Sequence, residues 1–137
     1  MKTDRTGWAA ATGAALLATA GAAAAHHSFA MFDAGRTVVL KGTVKEFQWT
    51  NPHVLVWVLA EGKAGEAPAL WTAELTSPGN LTRMGWSKRS LKPGDRVEVE
   101  VSPLRDGSHG GGFRKAVLTD TGQVLTAPLR TVGKPPG

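Results

Sequence analysis

The chain has 137 residues, enough for one domain, and its 42% hydrophobic content excludes a disordered composition. It has no cysteine, which excludes a disulfide framework, a thiolate metal site and a cysteine nucleophile. The net charge of +5 is mild, and the chain has five Trp, no Tyr and only four His.

Residues 1–25 read as a secretory signal. Lys2 and Arg5 give a positive start, and "WAAATGAALLATAGAAAA" is apolar with a small-residue end of the A-x-A kind. The stretch is dominated by Ala and Gly and is marginal in length for a bilayer span, so a cleaved signal is expected rather than an anchor. No later segment has the length and apolarity of a transmembrane span. Removing Lys2, Asp4 and Arg5 leaves 14 basic against 10 acidic residues, a net charge of +4. Such a charge is compatible with nucleic-acid binding, but an exported protein seldom meets nucleic acid. The expected address is periplasmic or secreted.

The next segment, residues 26–36, is a polar arm that opens with His26 and His27. Cleavage after Ala25 would make His26 the first residue, so that its α-amine and imidazole chelate one metal ion. Cleavage after Ala24 would place His27 third, where the amine, two backbone amides and an imidazole form a square-planar nitrogen site. Either cut satisfies the small-residue rule, and imidazole ligation favours copper or nickel. The alternative is an arm whose Phe29, Met31 and Phe32 pack on the domain without metal.

Residues 37–126 read as the folded domain. Thr37–Trp49 is β-branched and aromatic, and its apolar parity switches between Val44 and Phe47, which calls for a bend or bulge; Gly42 is the expected site. Asn51-Pro52-His53 is a turn signal. Val54–Glu61 is continuously apolar, which predicts a strand covered on both faces. Gly62–Pro68 is a polar loop. Ala69–Leu75 is a third strand, with Leu70, Thr72 and Glu74 on one face and Trp71, Ala73 and Leu75 on the other. Thr76–Ser87 breaks the pattern and reads as a short helix or turn, with Leu81, Met84 and Trp86 packing inward. Pro93-Gly94-Asp95 is a turn, followed by Val97, Val99 and Val101 alternating against Arg96, Glu98 and Glu100. Arg105–Gly112 reads as a flexible hairpin loop, Phe113–Asp120 as a fifth strand, and "TGQVL" as its extension or a short extra strand. Residues 127–137 form a Pro/Gly-rich tail. Three strands, a short helix and two strands is the order of an all-β, five-stranded, OB-like Greek-key barrel with its helix between strands three and four.

The motifs "AHHSFAMFD", "GTVKEFQWTNPH", "SPGNLTRMGW", "LKPGD" and "DGSHGGG", in this order, resemble those of small secreted bacterial proteins, domain-of-unknown-function family 6152. The likeness runs over roughly residues 25–125. It implies a single exported domain and supplies no activity, substrate or catalytic residue.

No G-x-S-x-G, Cys/His pair, phosphate loop or H-E-x-x-H is present, so a non-enzymatic protein is expected. The leading expectation is an extracytoplasmic binding module, a monomer, for a small ligand or envelope protein. Its candidate ligand-binding residues are Trp49, His53, Trp71, Glu74, Arg83 and Trp86, an aromatic wall with few charged groups. Alternatively, Glu74 and Arg83 form an ion pair at the barrel mouth. The second expectation is a copper or nickel site built on His26 and His27, with His53 or His109 as further ligands and Met31 as a soft axial ligand. The third is oligonucleotide or polysaccharide binding by the barrel's strand face.

Overall fold

The computed structural model describes residues 30–127. The signal at residues 1–25, His26, His27 and Phe29 of the arm, and the tail beyond residue 127 lie outside the described residues. Among the described residues six strands and one helix follow in order: β1 (Val38–Gln48), β2 (Leu55–Ala60), β3 (Ala69–Glu74), α1 (Pro78–Arg83), β4 (Arg96–Pro103), β5 (Gly110–Leu118) and β6 (Val124–Thr126). The neighbours run β3-β2-β1-β4-β5-β6, and a further parallel pairing of β3 with β5 closes the first five strands into a barrel. This is the OB-like Greek-key barrel, with β6 added antiparallel on β5.

Alternation builds the core. Leu40 and Val44 of β1, Val56 and Val58 of β2, Ala73 of β3, and Val97, Val99 and Val101 of β4 all point inward and are buried. Phe113 and Ala116 of β5 join them. Closing so small a barrel requires sharp curvature, and two bulges supply it. One lies between Val44 and Glu46, opposite Val58 and Trp57, so the extra residue is Lys45. The other lies on β5, where Glu100 and Val101 face Lys115 and Phe113.

The bulge at Lys45 is the expected parity switch, but it is not at Gly42. Gly42 serves a close approach instead: a Cβ there would lie 2.0 Å from the Leu59 carbonyl oxygen, so only a residue without a side chain lets β1 and β2 cross at this spacing. A second correction concerns β5. The glycines expected in a loop are strand: Gly110, Gly111 and Gly112 pair with Thr72, Ala73 and Glu74 on one side, and Gly111 and Gly112 with Pro103 and Ser102 on the other. A Cβ on Gly111 would lie 2.6 Å from the Ser102 oxygen. The "TGQVL" segment forms the separate strand β6 rather than an extension.

The helix α1 caps one end of the barrel. Ser77 is its N-cap, its hydroxyl accepting from the Asn80 N–H at 3.3 Å, and Pro78 follows at a position that needs no N–H. Leu81 and Trp86 are buried beneath it, as expected, whereas Met84 is 47% exposed, because the chain turns at Gly85 and carries it outward. The arm residues lie along the exit of β4. Phe32 bridges Leu104 and is buried, the Asp33 N–H donates to Pro103 O at 2.8 Å, and Met31 is exposed. Among the described residues no helix is long and apolar enough to cross a membrane.

Candidate functional site

The five-stranded OB barrel reads its ligands on the outer face of strands two and three and with the loops that flank it. In this molecule the outer face of β2 and β3 is set by the inward pointing of Val56, Val58 and Ala73, which turns Leu55, Trp57, Leu59, Leu70, Thr72 and Glu74 outward. The continuously apolar β2 is therefore not covered on both faces as expected. Leu55 and Trp57 are half-buried, and Leu59 is exposed beside Leu70, its direct cross-strand partner, which is 51% exposed.

Cross-strand pairing orders this face in rows. Gln48, Leu55 and Glu74 form one; Glu46, Trp57 and Thr72 the next; Thr43, Leu59 and Leu70 the third. Trp57 sits at the centre with a carboxylate on one side and a hydroxyl on the other. It is the residue that sequence reading missed, because an unbroken apolar run hides which of its members face outward. The signal that finds it is the parity of Ala73 and Leu75 on β3, since β2 must share that inner face.

His53 and Glu74 close one end of the platform. The loop Trp49–Val54 returns the chain through a cis Asn51-Pro52 bond. Val54 then enters β-type pairing, its N–H donating to Thr76 O at 3.1 Å while its carbonyl accepts from Leu75 N at 2.8 Å. That pairing buries Val54 and turns His53 to the outer face, where Nδ1 lies 2.5 Å from Glu74 Oε1. Both side chains are partly exposed. Glu74 was expected to pair with Arg83 if it paired at all. Arg83 instead donates to Asn80 Oδ1 at 2.9 Å, one turn back along α1.

The tryptophans proposed as one wall divide between structural tasks. Trp86 is buried, donates Nε1–H to Thr126 O at 3.0 Å, and meets Phe113 edge-on at 5.4 Å between ring centroids. Trp49 packs on the core, edge-on to Phe47 at 5.9 Å. Trp71 is half-buried on the core and stacks on His109 at 5.0 Å and 23°. Of the six candidates the structure thus joins His53 to Glu74, brings Trp49 and Trp86 against the shared Phe47, and leaves Trp71 and Arg83 in contacts of their own.

Of the candidate metal residues, His26 and His27 lie outside the described residues. Met31 and His109 come from neighbouring segments: Arg105 N donates to Met31 O at 2.9 Å, and Arg105 lies in the same loop as His109. His53 is on the outer face with Glu74. Among the described residues no group of three or more His, Cys, Asp or Glu could hold a metal ion. In the His109 loop the Ser108 hydroxyl and N–H both donate to Asp106 Oδ1, at 2.6 and 2.9 Å, and hold that carboxyl below its ordinary value. Between β1 and β4 lies a shallow depression of about 260 Å³. Its walls carry Lys41 bridged to Glu98 at 3.4 Å, charges that already serve each other.

These features define a small OB-like β-barrel with one tryptophan, Trp57, at the centre of its β2–β3 outer face and a histidine–carboxylate pair at the edge of that face. The chain belongs to the family of unknown function DUF6152, whose model matches residues 14–114. No curated protein and no solved structure matches the chain.

Proposed function

We propose that the protein is a non-enzymatic, extracytoplasmic binding module that takes its ligand on the outer face of β2 and β3. The observation that carries this reading is the half-buried outward Trp57, set between Glu46 and Thr72 on the face that OB barrels use for recognition. An indole in that position offers a large contact area at low entropic cost. Export rests on the signal-like residues 1–25. The test is a ligand and pull-down screen of the secreted protein, read by tryptophan fluorescence, beside Trp57→Ala. Binding that disappears in the variant supports the reading. A protein that binds nothing but turns over a substrate, or whose binding ignores Trp57, overturns it.

A second reading, a copper- or nickel-binding protein, is favoured by the way the arm is tied down. Arg105 Nε donates to Ala30 O at 3.1 Å, so the chain that carries His26 and His27 joins the barrel beside the loop bearing His109. His53 Nδ1 against Glu74 also has the form of a carboxylate-oriented imidazole. Mature protein should then bind Cu²⁺ near stoichiometrically, and amine acetylation or the paired change of His26 and His27 to Ala should abolish it. Unchanged binding refutes this reading. The mass of the secreted protein with and without copper fixes the cut and counts the ions together.

A further inference from the structure

The outer face of β2 and β3 has a composition that selects among ligand classes. We propose that it is a saccharide platform, on which Trp57 stacks against a sugar ring of an uncharged glycan chain while Glu46, Thr72, Gln48 and Glu74 bond its hydroxyls. This deepens the binding reading above and rests on it.

A pyranose has the same two-sided character as this surface, with apolar C–H groups on its ring faces and hydroxyls around its rim. The surface answers in kind. Trp57 and Leu55 form the apolar centre, and each is flanked across both neighbouring strands by groups that accept or donate hydrogen bonds: Glu46 and Thr72 beside Trp57, Gln48 and Glu74 beside Leu55. Three adjacent strands at about 4.8 Å spacing give a face about 10 Å wide, and Leu55 to Leu59 extends it about 13 Å along β2. That is an elongated strip rather than a pit, a shape suited to a chain. His53 fixes one of the hydrogen-bonding groups in advance, because Nδ1 holds the Glu74 carboxylate through Oε1.

The competing occupants fit less well. A nucleic acid needs lysine and arginine along its phosphates, whereas the groups bordering Trp57 and Leu55 on these rows include two glutamates and no cation. On the outer side of β1, Lys41 is engaged with Glu98, and Lys45 stands at the bulge. A second copy of the chain would need roughly 800 Å² per partner with an apolar centre. The exposed leucines of this face, Leu59 and Leu70, share one row with Thr43, and the next rows are edged with carboxylates.

The experiment is affinity electrophoresis of the secreted protein through gels containing dextran, hydroxyethyl cellulose or chito-oligosaccharide, with heparin and single-stranded DNA in parallel. At least one uncharged glycan should retard the protein, with little change between about 50 and 200 mM salt. Trp57→Ala should weaken that retardation by about tenfold or more, as the loss of a central aromatic contact does. Trp57→Phe should retain part of it, and Glu46→Gln should reduce it. Val39→Ala, on the outer side of β1 opposite Glu100, should leave it unchanged. Circular dichroism establishes that each variant is folded. Retardation by heparin or DNA alone, steeply reduced by salt, overturns the proposal. So does glycan retardation that persists undiminished in folded Trp57→Ala, which also removes the binding face. If no glycan binds but a protein or metal ligand binds in a Trp57-dependent manner, the saccharide proposal falls and the binding face stands.

Discussion

Trp86 offers a quantitative test of how the tryptophans are divided between core and surface. Its ring is 4% exposed, sits edge-on to Phe113 and within 6.4 Å of Phe47, and its Nε1–H is bonded to the Thr126 carbonyl. Replacement by Ala removes the ring from the end of the barrel that α1 caps, a change that costs about 3–5 kcal/mol in well-packed cores. The lost hydrogen bond to Thr126 accounts for about 1 kcal/mol of that. Since a domain of this size is stable by about 5–15 kcal/mol, the variant should keep a folded state with a much reduced margin. Urea denaturation followed by far-ultraviolet circular dichroism reads the effect: with an m-value near 2 kcal/mol/M, the midpoint should fall by roughly 2 M. Trp86→Phe keeps most of the apolar contact and loses the donor, so it should cost about 1–2 kcal/mol. Its amide exchange should rise first at β6, which Trp86 ties to the barrel through Thr126. If Trp86→Ala shifts stability by less than about 1 kcal/mol, the packing argument is refuted. Loss of ligand binding at unchanged stability would return Trp86 to the site.

Gly42→Ala forces a Cβ against the Leu59 carbonyl and should destabilise by about 1–3 kcal/mol or more in the same denaturation assay; a neutral result would show that β1 and β2 can separate there without loss. Gly111→Ala should act in the same direction, since its Cβ would meet the Ser102 oxygen and Val101. A double-mutant cycle on His53 and Glu74, using Ala and Gln respectively, should give a coupling below about 1 kcal/mol, because both side chains are partly exposed. Asp106 should titrate below 3.8 by nuclear magnetic resonance and move upward in Ser108→Ala. Its folded value is depressed, so its contribution to stability is present above the ordinary aspartate value and is lost as pH falls through the lowered one.

The barrel was legible because its strands carry period-two patterns and its turns carry Pro and Gly. Val97, Val99 and Val101 show the half-buried rule without interference. Legibility failed where a residue type had two uses. Gly110, Gly111 and Gly112 look like a loop in sequence, yet they are strand: β5 pairs there with β3, and at Gly111 and Gly112 with β4 as well, and at Gly111 a Cβ would run into the Ser102 carbonyl. Gly42 looked like the bulge and is a crossing point, since a bulge needs an extra residue and not a small one. The site was harder still. Glu74 and His53 were both marked, but their pairing depends on a loop that returns β2 beside the end of β3, which no local pattern encodes. Trp57 was masked by its apolar neighbours on β2.

The arm strapped along the exit of β4 has a consequence for the order in which the molecule assembles. Arg105 and Ala30, which it joins, lie 75 residues apart, so the first described residues to be synthesised have partners that emerge only after β1 to β4. Closing a loop of that length on its own costs about 4 kcal/mol of chain entropy, more than a few backbone bonds and Phe32 can offset before the barrel exists. The strap is therefore fastened by a finished barrel and does not nucleate one. The docking of Ala30–Asp33 on the barrel is in that sense a mark of the completed fold.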